Sequence, residues 1–273
     1  MVSLCVVTAS GPRRPACAAA SPYEITSHMA RRKSNGHPLR DALARRTLTG
    51  TFVKLPALES VDIVAMAGFD FAIVDLEHSQ LSEADGLRLV RHSRTLGFPV
   101  VVRLPAIDPG FTNRLLEAGA DGFQLSTVVS TEQVRELVRT TRYAPGGRRS
   151  VSLAHPVARY GGTPLRDAVS VPPPLLAGQI ETQETLDPLD QILAAGLDVA
   201  FAGTTDLTVE LGFDAGLVRT RVEEIRNACR ATSVAFGAFA PDRAGIPEGA
   251  RYVALSSDVS LLRDAMERAA VDG

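Results

Sequence analysis

Two acidic residues, Glu181 in Gln179-Ile180-Glu181-Thr182 and Asp206 in Gly203-Thr204-Thr205-Asp206-Leu207, each close an apolar stretch of strand character. A carboxylate taken out of water is costly unless a cation or strong donors meet it, and a hard divalent metal is a natural partner for such a pair. His78 stands in Val74-Asp75-Leu76-Glu77-His78. A carboxylate that orients one ring nitrogen leaves the other free to move a proton near neutral pH, directly or through water. Arg103, at the end of an otherwise apolar run, suits an oxyanion because guanidinium stays charged when partly desolvated. The amides of Gly203, Thr204, Thr205 and Asp206 suit a carboxylate or phosphate if a helix begins there. Metal pair, anion cradle, arginine and histidine base together fit making and stabilising an enolate.

Each residue also has a plainer reading. His78 read alone is a satisfied surface histidine, Arg103 a partner for a nearby carboxylate, and Asp206 a cap for a helix beginning near Leu207. Glu181 has no such alternative.

These residues need a scaffold that brings distant strand ends together. From Gly50 onward, strand-like runs alternate with amphipathic helical segments, the order of parallel βα units. The expected strands are Thr51–Leu55, Phe71–Val74, Val100–Leu104, Gly122–Leu125, Leu175–Ile180, Val199–Ala202, Val234–Ala238 and Tyr252–Ser256. A helix-ending glycine followed two residues later by Asp or Arg and then a strand recurs at Gly68, Gly119, Gly196 and Gly249. Two βα units per interval account for this, with extra chain at 142–174, where Gly146-Gly147, Gly161-Gly162 and Pro172-Pro173-Pro174 read as a long irregular connection. The expectation is a single α/β domain, a (β/α)8 TIM barrel over 48–273, with the site at the C-terminal strand ends. An open doubly wound sheet is the alternative, but no Gly-x-Gly-x-x-Gly follows the first strand. Residues 1–47, rich in Ser, Pro, Ala and Arg, read as a poorly ordered extension, with Met29 as an alternative start.

The chain of 273 residues is 45% hydrophobic with a formal charge of −2, and no apolar run approaches a membrane span. Neither nucleic acid nor an anionic membrane has an electrostatic case, so a small-molecule partner is expected. Three cysteines, Cys5, Cys17 and Cys229, lack zinc or disulfide spacing, which fits a reducing cytoplasm.

From about Gly50 to the C-terminus the chain resembles the HpcH/HpaI aldolase family of metal-dependent pyruvate aldolases. The motifs that carry the resemblance are Gly50-Thr51-Phe52-Val53-Lys54, Gly68-Phe69-Asp70-Phe71 with Asp75-Leu76-Glu77-His78, Gln179-Ile180-Glu181-Thr182 and Gly203-Thr204-Thr205-Asp206-Leu207. The resemblance implies that His78 is the catalytic histidine with Asp75 as its partner, and that Arg103 binds the pyruvate ketone oxygen. By the same resemblance Glu181 and Asp206 ligate magnesium, manganese or cobalt, Gln179 contacts substrate, and the Gly203–Asp206 amides bind the pyruvate carboxylate. Glu117 stands where some members place an aspartate from a neighbouring subunit. A homo-oligomer is implied, a hexamer built as a trimer of dimers or a trimer, with the helix Asp258–Ala270 exchanged between barrels.

Three departures accompany the resemblance. Thr204 replaces the family's usual proline, and Ser150 stands where glycine is usual after Tyr143-Ala144-Pro145. The segment from Pro241 to Gly249 is too short and too rich in breakers for the usual helix before the last strand.

The implied activity is reversible cleavage of a 4-hydroxy-2-oxo acid to pyruvate and an aldehyde, with acceptor choice expected to depend on 142–174 and a neighbouring subunit. Alternatives are the same enolate used for oxaloacetate decarboxylation or for joining to a specialised acceptor, a Schiff-base aldolase using Lys54, and a barrel that only binds a metabolite or partner.

Overall fold

The computed structural model describes residues 37–271. Eight parallel strands close into a barrel in sequence order, β8 pairing back onto β1. They are β1 (Leu48–Val53), β2 (Phe71–Asp75), β3 (Val100–Leu104), β4 (Gly122–Leu125), β5 (Leu175–Ile180), β6 (Val199–Ala202), β7 (Ala235–Ala240) and β8 (Tyr252–Ser257). Helix α1 (Pro38–Leu43) precedes the barrel, and α2 (Leu58–Met66), α3 (Glu83–Leu96), α4 (Pro109–Ala118) and α5 (Thr131–Thr141) follow β1 to β4 in turn. A 3-10 turn (Pro156–Gly161) and α6 (Leu165–Val169) lie in the long connection, and then come α7 (Leu189–Ala194), α8 (Thr204–Glu210), α9 (Ala215–Thr232) and α10 (Asp258–Val271). The (β/α)8 expectation holds. No helix joins β7 to β8, as the breakers in that segment require.

Period-two alternation sorts strand side chains onto two faces. Phe71, Ile73, Val101, Leu175, Ala177, Val199, Phe201, Tyr252 and Ala254 fill the barrel interior. Their neighbours Ala72, Val74, Val100, Val102, Leu176, Ala200 and Val253 pack under the helices.

The glycine repeat has a physical basis. Gly68, Gly119, Gly196 and Gly249 have φ of 83°, 119°, 135° and 77°, a backbone conformation that glycine enters without a Cβ clash. After the first three, Asp70, Asp121 and Asp198 each accept the amide of a residue on the preceding strand: Thr49 at 2.8 Å, Val100 at 3.0 Å and Leu176 at 2.9 Å. These carboxylates tie the starts of β1, β3 and β5 to the turn before the next strand.

Strands β3, β4, β5 and β6 have the expected bounds, whereas β1 starts earlier than Thr51 and ends before Leu55. The Asp258 carboxylate takes the Lys54 amide at 3.0 Å and the Leu55 amide at 3.1 Å, so neither amide is left for a strand ladder. Within the stretch 1–47 read as an extension, Pro38–Leu43 form α1. Leu39 and Leu43 of α1 close the floor of the interior, Arg40 grips Asp198 at 2.7 and 2.6 Å, and His37 Nε2 contacts the Asp121 carbonyl at 2.7 Å. Residues 1–36, including Met29, Cys5 and Cys17, lie outside the described residues. No helix among the described residues is long and apolar enough to cross a membrane.

Candidate active site

The parallel strands aim their C-terminal ends at one mouth, where a cavity of about 310 Å³ is lined by Phe52, Lys54, His78, Arg103, Gln179, Phe201 to Asp206, Phe239, Ser256, Ser257 and Ser260. Of the residues singled out in the sequence, His78, Arg103, Gln179, Gly203, Thr204, Thr205 and Asp206 therefore share one pocket.

Arg103 points both ends of its fork at carboxylates. Its Nε donates to Asp75 Oδ1 at 2.8 Å, one terminal nitrogen donates to Asp75 Oδ2 at 2.6 Å, and the other lies 3.2 Å from Glu77 Oε2. The Phe52 ring covers the guanidinium, 4.6 Å from its centroid. Lys54 Nζ adds a second cation 2.8 Å from Asp75 Oδ2 and donates to the His78 carbonyl at 2.9 Å. Burial pushes the Asp75 pKa upward, but the hydrogen bonds and charge of Arg103, helped by Lys54 and the His78 amide, prevail and hold it well below the usual carboxylate range.

This arrangement corrects the expected pairing of Asp75 with the His78 ring. Asp75 Oδ1 instead accepts the backbone amides of Glu77 and His78, both at 3.1 Å, and so fixes the loop rather than the imidazole. The buried charge of Arg103 outcompetes the ring for that carboxylate. His78 Nε2 lies 3.7 Å from Glu77 Oε2, too far for a hydrogen bond, and the side chain is 58% exposed at the mouth. Glu77 Oε2 is also occupied by the Ser126 hydroxyl at 2.5 Å.

Glu181 sits just behind the cavity wall. Its Oε1 accepts the Thr127 amide and hydroxyl, both at 2.7 Å, and its Oε2 accepts Gln179 Nε2. The other end of that amide, Gln179 Oε1, accepts from Gln124 Nε2 at 2.8 Å, and Gln124 Oε1 accepts the Tyr252 hydroxyl at 3.2 Å. A buried polar chain across the barrel thus orients Glu181. Gly203 presses directly on it, since a Cβ there would stand 2.5 Å from Glu181 Cβ.

Asp206 is not a cap. Gly203 is the N-cap of α8 with no side-chain cap bond, so Asp206 lies inside the first turn, where the early amides lack intrahelical partners.

Charge separates the site into two parts. Asp75, Glu77, Arg103 and Lys54 form a neutral group, two anions against two cations. Glu181, 5% exposed, receives neutral donors only, and neither it nor Asp206 has a cationic partner among the described residues. Two uncompensated carboxylates, with Glu181 immobilised, match a hard divalent cation held by a small number of protein oxygens with water or substrate completing its shell. No third His, Cys, Asp or Glu joins them among the described residues.

Glu117 does not reach the cavity. It lies in α4, accepts Asn113 Nδ2 at 3.2 Å, and faces Tyr143 and Arg149, whose guanidinium lies 4.4 Å from the Tyr143 ring centroid. No residue of 142–174 lines the cavity of its own chain. The segment turns outward instead, Arg149 donating to Asn113 at 2.9 Å and Arg91 to the Tyr160 hydroxyl at 3.2 Å. Sequence reasoning missed Gln124, Ser126 and Thr127 at the end of β4, and Phe239, Ser256, Ser257 and Ser260 on the β7–β8 side. The strand-end rule points to Ser126-Thr127 and Ser256-Ser257, but serine and threonine are too common beside turns to stand out.

A family model described as HpcH/HpaI aldolase/citrate lyase matches residues 48–265. A protein named 5-keto-4-deoxy-D-glucarate aldolase from Shigella boydii serotype 18 is 29% identical over 236 residues, covering 83% of this chain and 92% of that one. The crystal structure of an HpcH/HpaI aldolase from Desulfitobacterium hafniense DCB-2 superposes with a TM-score of 0.77 at 29% identity, covering 87% of this chain and 96% of that one. A citrate synthase structure, SbnG, shares the fold at 23% identity and a TM-score of 0.75, covering 87% and 97%.

Proposed function

Because the chain belongs to the HpcH/HpaI aldolase/citrate lyase family, we propose that it is a divalent-metal-dependent lyase cleaving a 4-hydroxy-2-oxo acid into pyruvate and an aldehyde. The observation that carries this reading is the pair of uncompensated carboxylates, Glu181 and Asp206, beside an otherwise charge-neutral group. Those two residues would hold magnesium, manganese or cobalt, which when bound stabilises negative charge on the oxygens of the 2-oxo acid.

The protein's own groups account for the remaining steps. The first-turn amides of α8 suit the substrate carboxylate, and Arg103 places fixed positive charge on the cavity wall where the ketone oxygen becomes an enolate. Exposed, and with no hydrogen bond to its ring among the described residues, His78 takes the proton of the C4 hydroxyl. The C4 oxygen becomes the aldehyde carbonyl, the C3–C4 bond breaks, and its electron pair forms the pyruvate enolate. Returning a proton to C3 gives the methyl group of pyruvate. Lys54 is committed to Asp75 and the His78 carbonyl, which disfavours a Schiff-base route.

Assembly belongs to the same proposal. Val259, Leu261, Leu262 and Met266 of α10 are exposed, and within its own chain the helix packs mainly against β1 and β8. A helix with an uncovered apolar side suits exchange with another copy.

The test is pyruvate release from oxaloacetate and a panel of 4-hydroxy-2-oxo acids after chelation and after restoring magnesium, manganese or cobalt. Metal-dependent release from a hydroxy-oxo acid, lost in Glu181→Ala, is expected. Release that survives exhaustive chelation sinks the metal mechanism.

A further inference from the structure

The β8 side of the cavity is built differently from the rest. Between paired positions, β8 advances from Ala254 to Ser257 while β1 advances only from Gly50 to Phe52, so β8 carries a bulge. Inside that bulge Ser256 has φ 54°, a left-handed conformation that a non-glycine residue keeps only where its surroundings impose it. Bulges beside active sites re-aim side chains, and this one sets Ser256 on the cavity wall with Ser257, Ser260 and Phe239. The Ser257 and Ser260 hydroxyls bond each other at 3.0 Å, and Ser257 Oγ also accepts the Ser260 amide at 3.2 Å. The Ser256 hydroxyl has no hydrogen-bond partner among the described residues.

The groups assigned to the pyruvate half, Arg103, Gln179, Glu181 and Asp206, stand on β3, on and just after β5, and in the first turn of α8. The remaining lining runs from His78 past Lys54 and Phe52 to the β7–β8 wall, so an aldehyde half whose C4 hydroxyl meets His78 extends along that side, where no residue of 142–174 of the same chain stands. We propose that Ser256 is a specificity-determining residue, its hydroxyl bonding a hydroxyl group on the aldehyde half and so selecting hydroxylated over apolar aldehydes of equal size. The inference rests on the aldolase reading above. An apolar aldehyde would meet the same wall with a hydroxyl left unpaired, and a site built to bond a polar group rejects the analogue lacking it.

The experiment runs the reaction in the direction of synthesis, with saturating pyruvate and added Mn2+, and compares glycolaldehyde with propionaldehyde, which has the same number of heavy atoms. The readout is the ratio of the two kcat/KM values, because a general loss of folding or of enolate formation scales both alike. The wild-type protein is expected to favour glycolaldehyde. Ser256→Ala and Ser256→Gly should each lower the ratio about tenfold, and only the glycine variant, which relieves the left-handed backbone, should also raise Tm. An unchanged ratio in both variants, whatever their absolute rates, overturns the role of Ser256 while leaving the aldolase reading intact. A folded wild-type protein that consumes neither aldehyde overturns the aldolase reading, and the role of Ser256 with it.

Discussion

Arg103 holds both oxygens of the Asp75 carboxylate, at 2.8 and 2.6 Å, where Asp75 is fully buried. The contact joins the ends of β2 and β3 at their last registered pair, Asp75 opposite Arg103. Because the folded pKa of Asp75 lies below its unfolded value, the stability it contributes is fully present above the unfolded value of about 3.9 and is lost as pH falls from there through the folded value. Asp75→Asn leaves Arg103 and Lys54 facing a neutral group and should cost about 3 kcal/mol near neutral pH. Urea unfolding of both proteins from pH 7 down to pH 3 checks this. The gap between them should narrow as the pH drops below 4, and a constant gap would mean that the ion pair is not its source.

His78 is a different case, because its side chain has few contacts to lose. His78→Asn should lower kcat by about 10²- to 10⁴-fold, the usual contribution of a positioned base, with a stability change within about 0.5 kcal/mol. Steady-state kinetics beside a thermal melt separates the two effects. A large fall in Tm would instead show the imidazole to be structural.

Much of this was legible in the chain because the cues were local. Each glycine of the repeat takes positive φ, though Gly249 ends a turn and not a helix, and each of the first three is followed by an aspartate that ties a neighbouring strand, so a short motif encodes both turn and register. The convergence of His78, Arg103, Gln179 and Asp206 follows from strand ends meeting at one mouth. Partner choice was not legible. Asp75, Glu77, Arg103, Lys54 and His78 form a competition among charges whose outcome depends on distances across three strands, and sequence neighbours suggested His78 for Asp75 where Arg103 won. The β1 boundary failed similarly, since the carboxylate that ends the strand comes from Asp258, far along the chain. The Ser256 bulge depends on a register offset that no local pattern announces.

Exposure along α10 makes oligomeric state testable. Leu262 is 46% and Met266 62% exposed on a helix that packs mainly against β1 and β8 within its own chain. Light scattering should find an oligomer for the wild-type protein and a smaller species for Leu262→Asp with Met266→Asp. A wild-type monomer at micromolar concentration would remove helix exchange from the reading.

Gly203 and Glu181 give the most direct test of the metal site. A Cβ at position 203 would lie 2.7 Å from Glu181 Oε2, and Glu181 cannot swing aside without losing the Thr127 and Gln179 bonds. Gly203→Ala should therefore displace the carboxylate and weaken Mn2+ binding by about 10- to 100-fold, as loss of a supporting contact around a metal ligand typically does. Glu181→Gln removes the charge and turns one of the two accepting oxygens into a donor that faces Thr127 or Gln179. With chelator present, Glu181 has no cationic partner among the described residues, so what glutamine gains by losing the charge and what it loses in accepted bonds oppose each other, and Tm should change little. With Mn2+ added, the wild-type protein should gain Tm with ligand concentration while Glu181→Gln gains almost nothing. Two melting series, with chelator and with metal, are sufficient. A metal-dependent rise of equal size in both proteins would move the cation away from Glu181.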